Sequence, residues 1–400
     1  MIYYLLLSLG IITFFLGIIP LIFSYRLKRY VEEALNKSIS EYTPMVSLIL
    51  PCKGLDPGFE ENINALMNQN YPDYEVVFVT ATDDDPAYVF LNKLLKKNSY
   101  NNISAKLVVA GISPLRGQKI NNMLKALQNV RADTQVFAFV DSDIRPNNNF
   151  LRNLVKPLQN DNVGVTTGNI WYLPKHANLG SMLRSLWAAG AYPLLIDQRH
   201  NFAWGGANAI KRTTFEKAKI GKLLDRSISD SFAITNGIKG ISLQVHFVPQ
   251  CVVVSHEDST LSDTLEWTNR QTIISRVYSP TFWRTVFLVY SFSNIMLLSG
   301  VAILILSIMS SNTTFILPEL LMLSIIPLEM INAAILLPVV QQMIPEHSKR
   351  IEKLKWSYLC TTALASILMM INSIVSLTTN EIIWRGVKYK LISPTETKII

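Results

Sequence analysis

Val136-Phe137-Ala138-Phe139-Val140-Asp141-Ser142-Asp143-Ile144-Arg145-Pro146 runs five apolar residues into two carboxylates separated by one serine. A buried parallel strand reads as such an apolar run, and in open α/β sheets ligands gather at the carboxyl ends of the strands. Two carboxylates this close repel unless a positive charge lies beside them, and a hard cation such as Mg²⁺ or Mn²⁺ can supply it while bridging to phosphate oxygens. Asp-Ser-Asp is also ordinary turn or helix-cap chemistry, so the motif has two readings on its own.

The composition narrows them. The chain has 400 residues, 49% of them hydrophobic and 16% charged, which is too oily for a wholly soluble protein of ordinary make-up. Tyr3 to Phe23 carries no charge, and Tyr25-Arg26-Leu27-Lys28-Arg29 follows directly. Roughly twenty apolar residues span a bilayer and basic residues favour the cytoplasmic flank, so residues 1–25 read as an uncleaved anchor with its C-terminal side in the cytosol. Further apolar stretches are Val286–Met309, Phe315–Val340 and Tyr358–Leu377. Residues 43–280 therefore form a cytosolic domain, and residues 281–400 a membrane region with about three spans and a basic tail. The net charge of +8 belongs partly to juxtamembrane clusters such as Lys349-Arg350 and Lys353–Lys355, which suit anionic lipid headgroups rather than nucleic acid. Cys52, Cys251 and Cys360 show no paired or metal spacing, and the five histidines show none for zinc.

Within the domain, a strand ending in a turn is expected at Met45–Gly54 and further strands at Tyr74–Thr80, Ala105–Ala110 and Gly164–Asn169, with helices at Glu60–Asn68, 87–97 and Ile120–Gln128. This alternation predicts a mainly parallel α/β sheet. Arg116-Gly117-Gln118-Lys119 opens a helix and is either a solvated basic turn or a diphosphate-binding one. Leu179–Ile196 reads as an unusually apolar helix, either core or interfacial. Gly205 and Gly206 suit a tight turn or a close backbone approach to a ligand. Asp230 stands at a helix start, where it is either a cap, which the local chemistry favours, or a base facing a substrate hydroxyl.

In this order the chain resembles the membrane-bound family 2 and family 21 glycosyltransferases, of the ceramide glucosyltransferase-like group. Val46–Gly54, with Pro51, Lys53 and Gly54, is similar to that group's first strand, and Tyr71-Pro72-Asp73-Tyr74-Glu75 to its YPxYE segment. Asp83-Asp84-Asp85 and Asp141-Ser142-Asp143 resemble its first and second aspartate regions, Gly117-x-Lys119 its GxK segment, and Ser229-Asp230 the site of its base, usually Glu-Asp. Trp384-Arg385-Gly386-Val387-Lys388-Tyr389 resembles its WRGxxY ending. Two departures stand out. Trp267-Thr268-Asn269-Arg270-Gln271 keeps the arginine of the (Q/R)xxRW motif without its leading Gln/Arg or trailing Trp, and Ser229 replaces a glutamate.

The resemblance implies a GT-A type fold and an inverting, metal-dependent transfer of a sugar, UDP-linked, to a hydroxyl of a membrane lipid such as ceramide. Asp230 would be the base. Pro51, Lys53, Asp83, Asp84, Asp85, Lys119, Asp141 and Arg270 would bind the nucleotide sugar, and Gly205, Gly206 and Trp267 would lie on the acceptor side. Asp143 and Asp141 would hold Mg²⁺ or Mn²⁺. A bacterial plasma membrane is the expected setting; the oligomeric state is left open. The rivals are a processive polysaccharide synthase and a non-catalytic scaffold or transporter, the latter prompted by Glu319 and Glu329 in an apolar stretch. Three spans after a cytosolic domain would put the basic tail outside, so one stretch is expected to be re-entrant, with Phe315–Val340 as the candidate.

Overall fold

The computed structural model describes residues 1–36, 41–97, 103–256 and 258–400. After α1 (Ile2–Leu35) come β1 (Val46–Pro51), α2 (Phe59–Met67), β2 (Tyr74–Thr80), α3 (Pro86–Lys97), β3 (Ser104–Val109), α4 (Gln118–Leu127) and β4 (Val136–Val140). These are followed by α5 (Phe150–Val155), β5 (Val163–Tyr172), α6 (Leu179–Ala189), β6 (Ala207–Lys211), α7 (Arg212–Lys217), α8 (Ile220–Leu224), α9 (Asp230–Gly240) and β7 (Gln244–Ser255). The helices α10 (Leu261–Tyr278), α11 (Pro280–Ser310), α12 (Ile316–Leu323), α13 (Ile325–Met343) and α14 (Ser348–Thr378) lead to β8 (Glu381–Trp384), β9 (Val387–Ser393) and β10 (Glu396–Ile399).

By contacts the chain divides into two units, one of residues 1–33, 172–194 and 256–379, the other of residues 34–171, 195–255 and 380–400. This grouping departs from the expected division of the sequence in three places. Residues 256–280 and α6 go with the apolar helices, and the basic tail goes with the sheet.

The sheet unit has the expected α/β architecture with a mixed, mainly parallel sheet. Its seven strands run β3-β2-β1-β4-β6-β5-β7, with β1, β2, β3 and β4 parallel and β6 antiparallel to both β4 and β5. Every residue of β4 is buried, as its uninterrupted apolar sequence requires. The YPxYE-like segment is structural. Glu75 is fully buried, accepts hydrogen bonds from Ser47 Oγ (2.6 Å) and the Arg131 N–H (2.6 Å), and pairs with Lys106 (2.9 Å). The tail forms a three-stranded antiparallel sheet, β10-β9-β8.

The helical unit holds stretches long and apolar enough to cross a membrane at Ile2–Leu35, Pro280–Ser310, Ile316–Met343 and Pro345–Thr378. Small residues let them approach closely. A Cβ on Gly10 would lie 2.9 Å from Leu321 Cβ, and one on Gly17 2.6 Å from a Leu328 methyl. The apolar helix expected over Leu179–Ile196 stops at Ala189, where Gly190 caps it. On α14, Asn372 donates to Asn269 (2.7 Å) and accepts from Trp187 Nε1 (3.1 Å), while Ser376 accepts from Trp283 Nε1 (3.0 Å).

Candidate active site

The antiparallel pairing of β6 with β4 sets the geometry. It brings the residues preceding β6 to the end of β4, where the Asp141 N–H donates to the Gly206 carbonyl at 3.0 Å. Gly205 and Gly206 lie in a turn, but neither has positive φ, so the turn's backbone does not itself require glycine. Close approach does. A Cβ on Gly205 would stand 2.6 Å from Asp230 Oδ2, and one on Gly206 2.4 Å from the Trp204 ring and 2.9 Å from Asp141 Oδ2.

Two helix starts complete the cluster. Gly117, just before α4, donates its N–H to the Ser227 carbonyl at 2.9 Å, and a side chain there would press on Ile228 at 3.1 Å. The contact brings Lys119 on α4 to Asp230 on α9. Lys119 Nζ lies 2.6 Å from Asp141 Oδ1, 3.0 Å from Asp230 Oδ2 and 3.2 Å from the Gly205 carbonyl. Burial works against the lysine's charge, but Asp141 and Asp230 outweigh it and hold its pKa above that of an ordinary lysine. The carboxyl of Asp141 is pushed up, chiefly by burial and, after the opposing pull of Lys119, by Asp230. The cap of α9 is Ser229, whose side chain accepts from the Phe232 N–H at 3.4 Å. The cap function favoured for Asp230 from sequence therefore belongs to its neighbour, which leaves the Asp230 carboxylate for Lys119.

The Asp141–Asp143 loop is held from beneath by α2, where buried Asn62 donates to the Ser142 carbonyl at 3.2 Å. Ser142 Oγ donates to Asp56 Oδ2 (3.3 Å), and Asp56 Oδ1 accepts from Arg385 Nη2 at 3.0 Å. Asp56 and Asn62 escaped sequence reasoning, because Asp56-Pro57-Gly58 reads as an ordinary turn and Asn62 as one polar residue of a helix. Lys53 Nζ is bonded to the Arg385 carbonyl at 2.7 Å, and Pro51 ends β1 beside Val79. Of the aspartates 83–85, Asp85 organises the backbone, its Oδ1 accepting from Gly54 N (2.8 Å) and Ala87 N (2.9 Å); Asp83 and Asp84 are exposed. In the basic turn, Arg116 pairs with Asp225 at 2.7 Å.

Trp267 and Arg270 belong to α10 in the helical unit. The Trp267 ring meets Tyr172 at 5.4 Å and Trp187 at 5.3 Å edge-on, with the Arg184 guanidinium 5.1 Å from its centroid. Arg270 stands 4.0 Å from Glu266, one helical turn away.

Among the described residues no three His, Cys, Asp or Glu side chains gather as a metal cage. Mg²⁺ is held through one or two carboxylates plus substrate phosphates and water, so Asp141 and Asp143 fit an ion that the substrate completes.

A family model described as Glycosyl transferase family 21 matches residues 10–397. Ceramide glucosyltransferase 3 of Caenorhabditis elegans is 36% identical over 114 residues, which are 28% of this chain and 23% of that one. Ceramide glucosyltransferase 1 of the same organism is 31% identical over 121 residues, 30% of this chain and 23% of the relative. The aligned part thus spans less than a quarter of the curated relatives. Among solved structures, a mannosyltransferase from Pyrobaculum calidifontis in complex with GDP-Man and Mn²⁺ superposes with a TM-score of 0.48 at 16% identity, over 93% of this chain and 98% of that one. Glucosyl-3-phosphoglycerate synthase from Mycobacterium tuberculosis, in complex with Mn²⁺, UDP and glucosyl-3-phosphoglycerate, gives 0.39 at 15% identity, over 59% and 77%.

Proposed function

The chain belongs to glycosyl transferase family 21, and from that premise we propose that it moves a hexose, with inversion, from a nucleotide sugar to the hydroxyl of a membrane lipid such as ceramide. One observation carries the reading. Lys119 bonds at once to the strand-end carboxylate Asp141 (2.6 Å) and to Asp230 (3.0 Å), so a diphosphate-side group and a candidate base share one site.

In this mechanism Asp230 takes the proton of the acceptor hydroxyl as its oxygen attacks the anomeric carbon. The bond from that carbon to the phosphate oxygen breaks, and its electron pair leaves with the nucleoside diphosphate. One base and one direct displacement invert the anomeric centre, by the logic of inverting glycosidases. Asp141 and Asp143 would hold Mg²⁺ or Mn²⁺, which when bound neutralises charge on the departing phosphate. Lys119 fixes the distance between Asp141 and Asp230. Gly205 and Gly206 leave the reacting faces of both carboxylates clear of side chains. Asp83 and Asp84, exposed at the end of β2, are assigned to the nucleoside.

A lipid acceptor is supported by the names of the two relatives and by the four apolar stretches. We assign the sheet unit to the cytosolic side, from the basic residues Arg26, Lys28 and Arg29 that close α1's apolar run. The chain leaves this unit after Ser255 and re-enters it at Asn380, which requires an even number of crossings between. Three stretches there are long enough to cross, and we infer that α14 lies along the surface. Its first turn carries Lys349 and Arg350, and Arg350 donates to the carbonyls of Pro174 and Lys175, just past the point where β5 leaves the sheet. We therefore prefer α14 to Phe315–Val340 as the non-crossing stretch.

The test is to incubate the protein in lipid nanodiscs with Mn²⁺, a panel of UDP- and GDP-sugars and candidate lipid acceptors, beside D143A. A single-sugar lipid that disappears in D143A supports the reading. Polymer formation would favour a processive synthase, and no transfer would sink the assignment. For topology, E346C in a background without native cysteines should react with an impermeant maleimide from the cytosolic face; labelling from the opposite face would overturn the surface placement of α14.

A further inference from the structure

The strand ends carry an excess of acid. Asp56, Asp141, Asp143 and Asp230 surround them, while Lys119 is already divided between Asp141 and Asp230. A diphosphate entering here needs a cation that can turn towards it. Arg385 stands in that position. It occupies the tip of the hairpin between β8 and β9, and its Nη2 reaches Asp56 (3.0 Å), which in turn takes the hydroxyl of Ser142, the residue between the two carboxylates. Its Nη1 donates to the Lys53 carbonyl at 3.1 Å. The arginine side chain is 43% exposed and Asp56 10%, so one side of the guanidinium is open while its partner is enclosed. Burial opposes its charge, but Asp56 first, then Asp143 and Asp141, hold it charged beyond the ordinary arginine range.

The backbone adds an independent observation. Arg385 has φ 48° and Gly386 φ 78°, a two-residue turn with both residues left-handed, which favours Asn, Asp or Gly at the first place. A strained non-glycine residue that persists at a site points to a function. The hairpin is also anchored, since Tyr389 and Leu391 are buried and the Tyr389 hydroxyl accepts from the Gln118 N–H at 3.4 Å. The arginine is therefore presented on a fixed support.

We propose that Arg385 binds the diphosphate of the nucleotide sugar, swinging from Asp56 onto the phosphate oxygens when the nucleotide arrives. The inference rests on the site being a nucleotide-sugar site, and it assigns a diphosphate contact to the C-terminal hairpin. The planar fork of arginine suits bidentate recognition of phosphate.

Arg385→Asn separates the two roles that the residue could have. Asn-Gly is a preferred pair for this turn, so the hairpin keeps its shape while the cation is lost. Calorimetry on the full chain in nanodiscs, with UDP and with GDP in the presence of Mn²⁺, should show R385N weakened about 10- to 100-fold for the nucleotide that binds wild type. Binding of the matching nucleoside, which lacks the diphosphate, should be unchanged, with the melting temperature within a few degrees of wild type. R385K should recover part of the affinity, and D56N, which frees the guanidinium, should bind equally or more tightly. If R385N binds the diphosphate like wild type, or loses nucleoside and diphosphate alike, the inference is overturned while the site assignment stands. If wild type binds neither diphosphate, both are overturned.

Discussion

Helix α9 closes its own first turn, with the Ser229 side chain accepting from the Phe232 N–H, whereas α4 starts at Gly117 with no side-chain cap and borrows the hydroxyl of Tyr389 from the C-terminal tail. The charges of the two starts differ as well. Asp230 stands in α9's first turn, where the helix dipole favours an anion; Lys119 stands in α4's first turn, where the same field disfavours a cation. Only the second placement needs outside support. Asp141 and Asp230 provide it, which is why the lysine, the strand end and the candidate base form one cluster rather than three surface features.

The largest break in this arrangement should come from D230N. The substitution keeps the shape of the side chain and removes the proposed base, so kcat should fall roughly 10²- to 10⁴-fold while the affinity for nucleotide changes little. If instead nucleotide binding collapsed with kcat intact at saturation, Asp230 would be a binding residue. G205A comes next. Its methyl would sit 2.6 Å from Asp230 Oδ2, and displacing the carboxylate by a fraction of an ångström should lower kcat about 100-fold. Wild-type turnover in G205A would show that the Gly205 backbone is not packed against the working position of Asp230.

The tail supplies a smaller perturbation. Y389F leaves the buried ring in place and removes the acceptor for Gln118, so unfolding experiments should record a loss of about 1–2 kcal/mol. An unchanged melting temperature would mean that α4's start is satisfied by other groups.

These contrasts also explain what could be read from the sequence. The strand carrying Asp141 and Asp143 was legible because burial on both faces imposes a continuous apolar run, and its polar end marks where the sheet stops. The parallel half of the sheet followed from the spacing of strands and helices. Asp56 and Arg385 were not legible as a pair. Each has a local excuse, a Pro-Gly turn in one case and a basic tail in the other, and only the return of the tail to the sheet joins them. The tail's destination could not be read from hydropathy, which counts apolar stretches without telling a crossing helix from one lying on the surface. Trp267 and Arg270 were singled out by resemblance to a motif, and their neighbours in the helical unit include Tyr172, Arg184, Trp187 and Glu266.

The finest test concerns two adjacent residues. Ser229 stands where the family usually carries a glutamate, and its side chain caps α9 while Asp230 faces Lys119. S229A should cost about 1 kcal/mol of stability, the ordinary price of a lost serine cap, with kcat close to wild type. The cap is local, so its loss loosens the first turn of α9 without removing the ion pair that positions Asp230. S229E tests the other side of the argument: a second carboxylate beside Asp230 would compete for Lys119, so it should lower kcat further than S229A does. Should S229A instead cut turnover as deeply as D230N at unchanged stability, the hydroxyl would belong to the chemistry, and the division of labour between cap and base at this helix start would have to be redrawn.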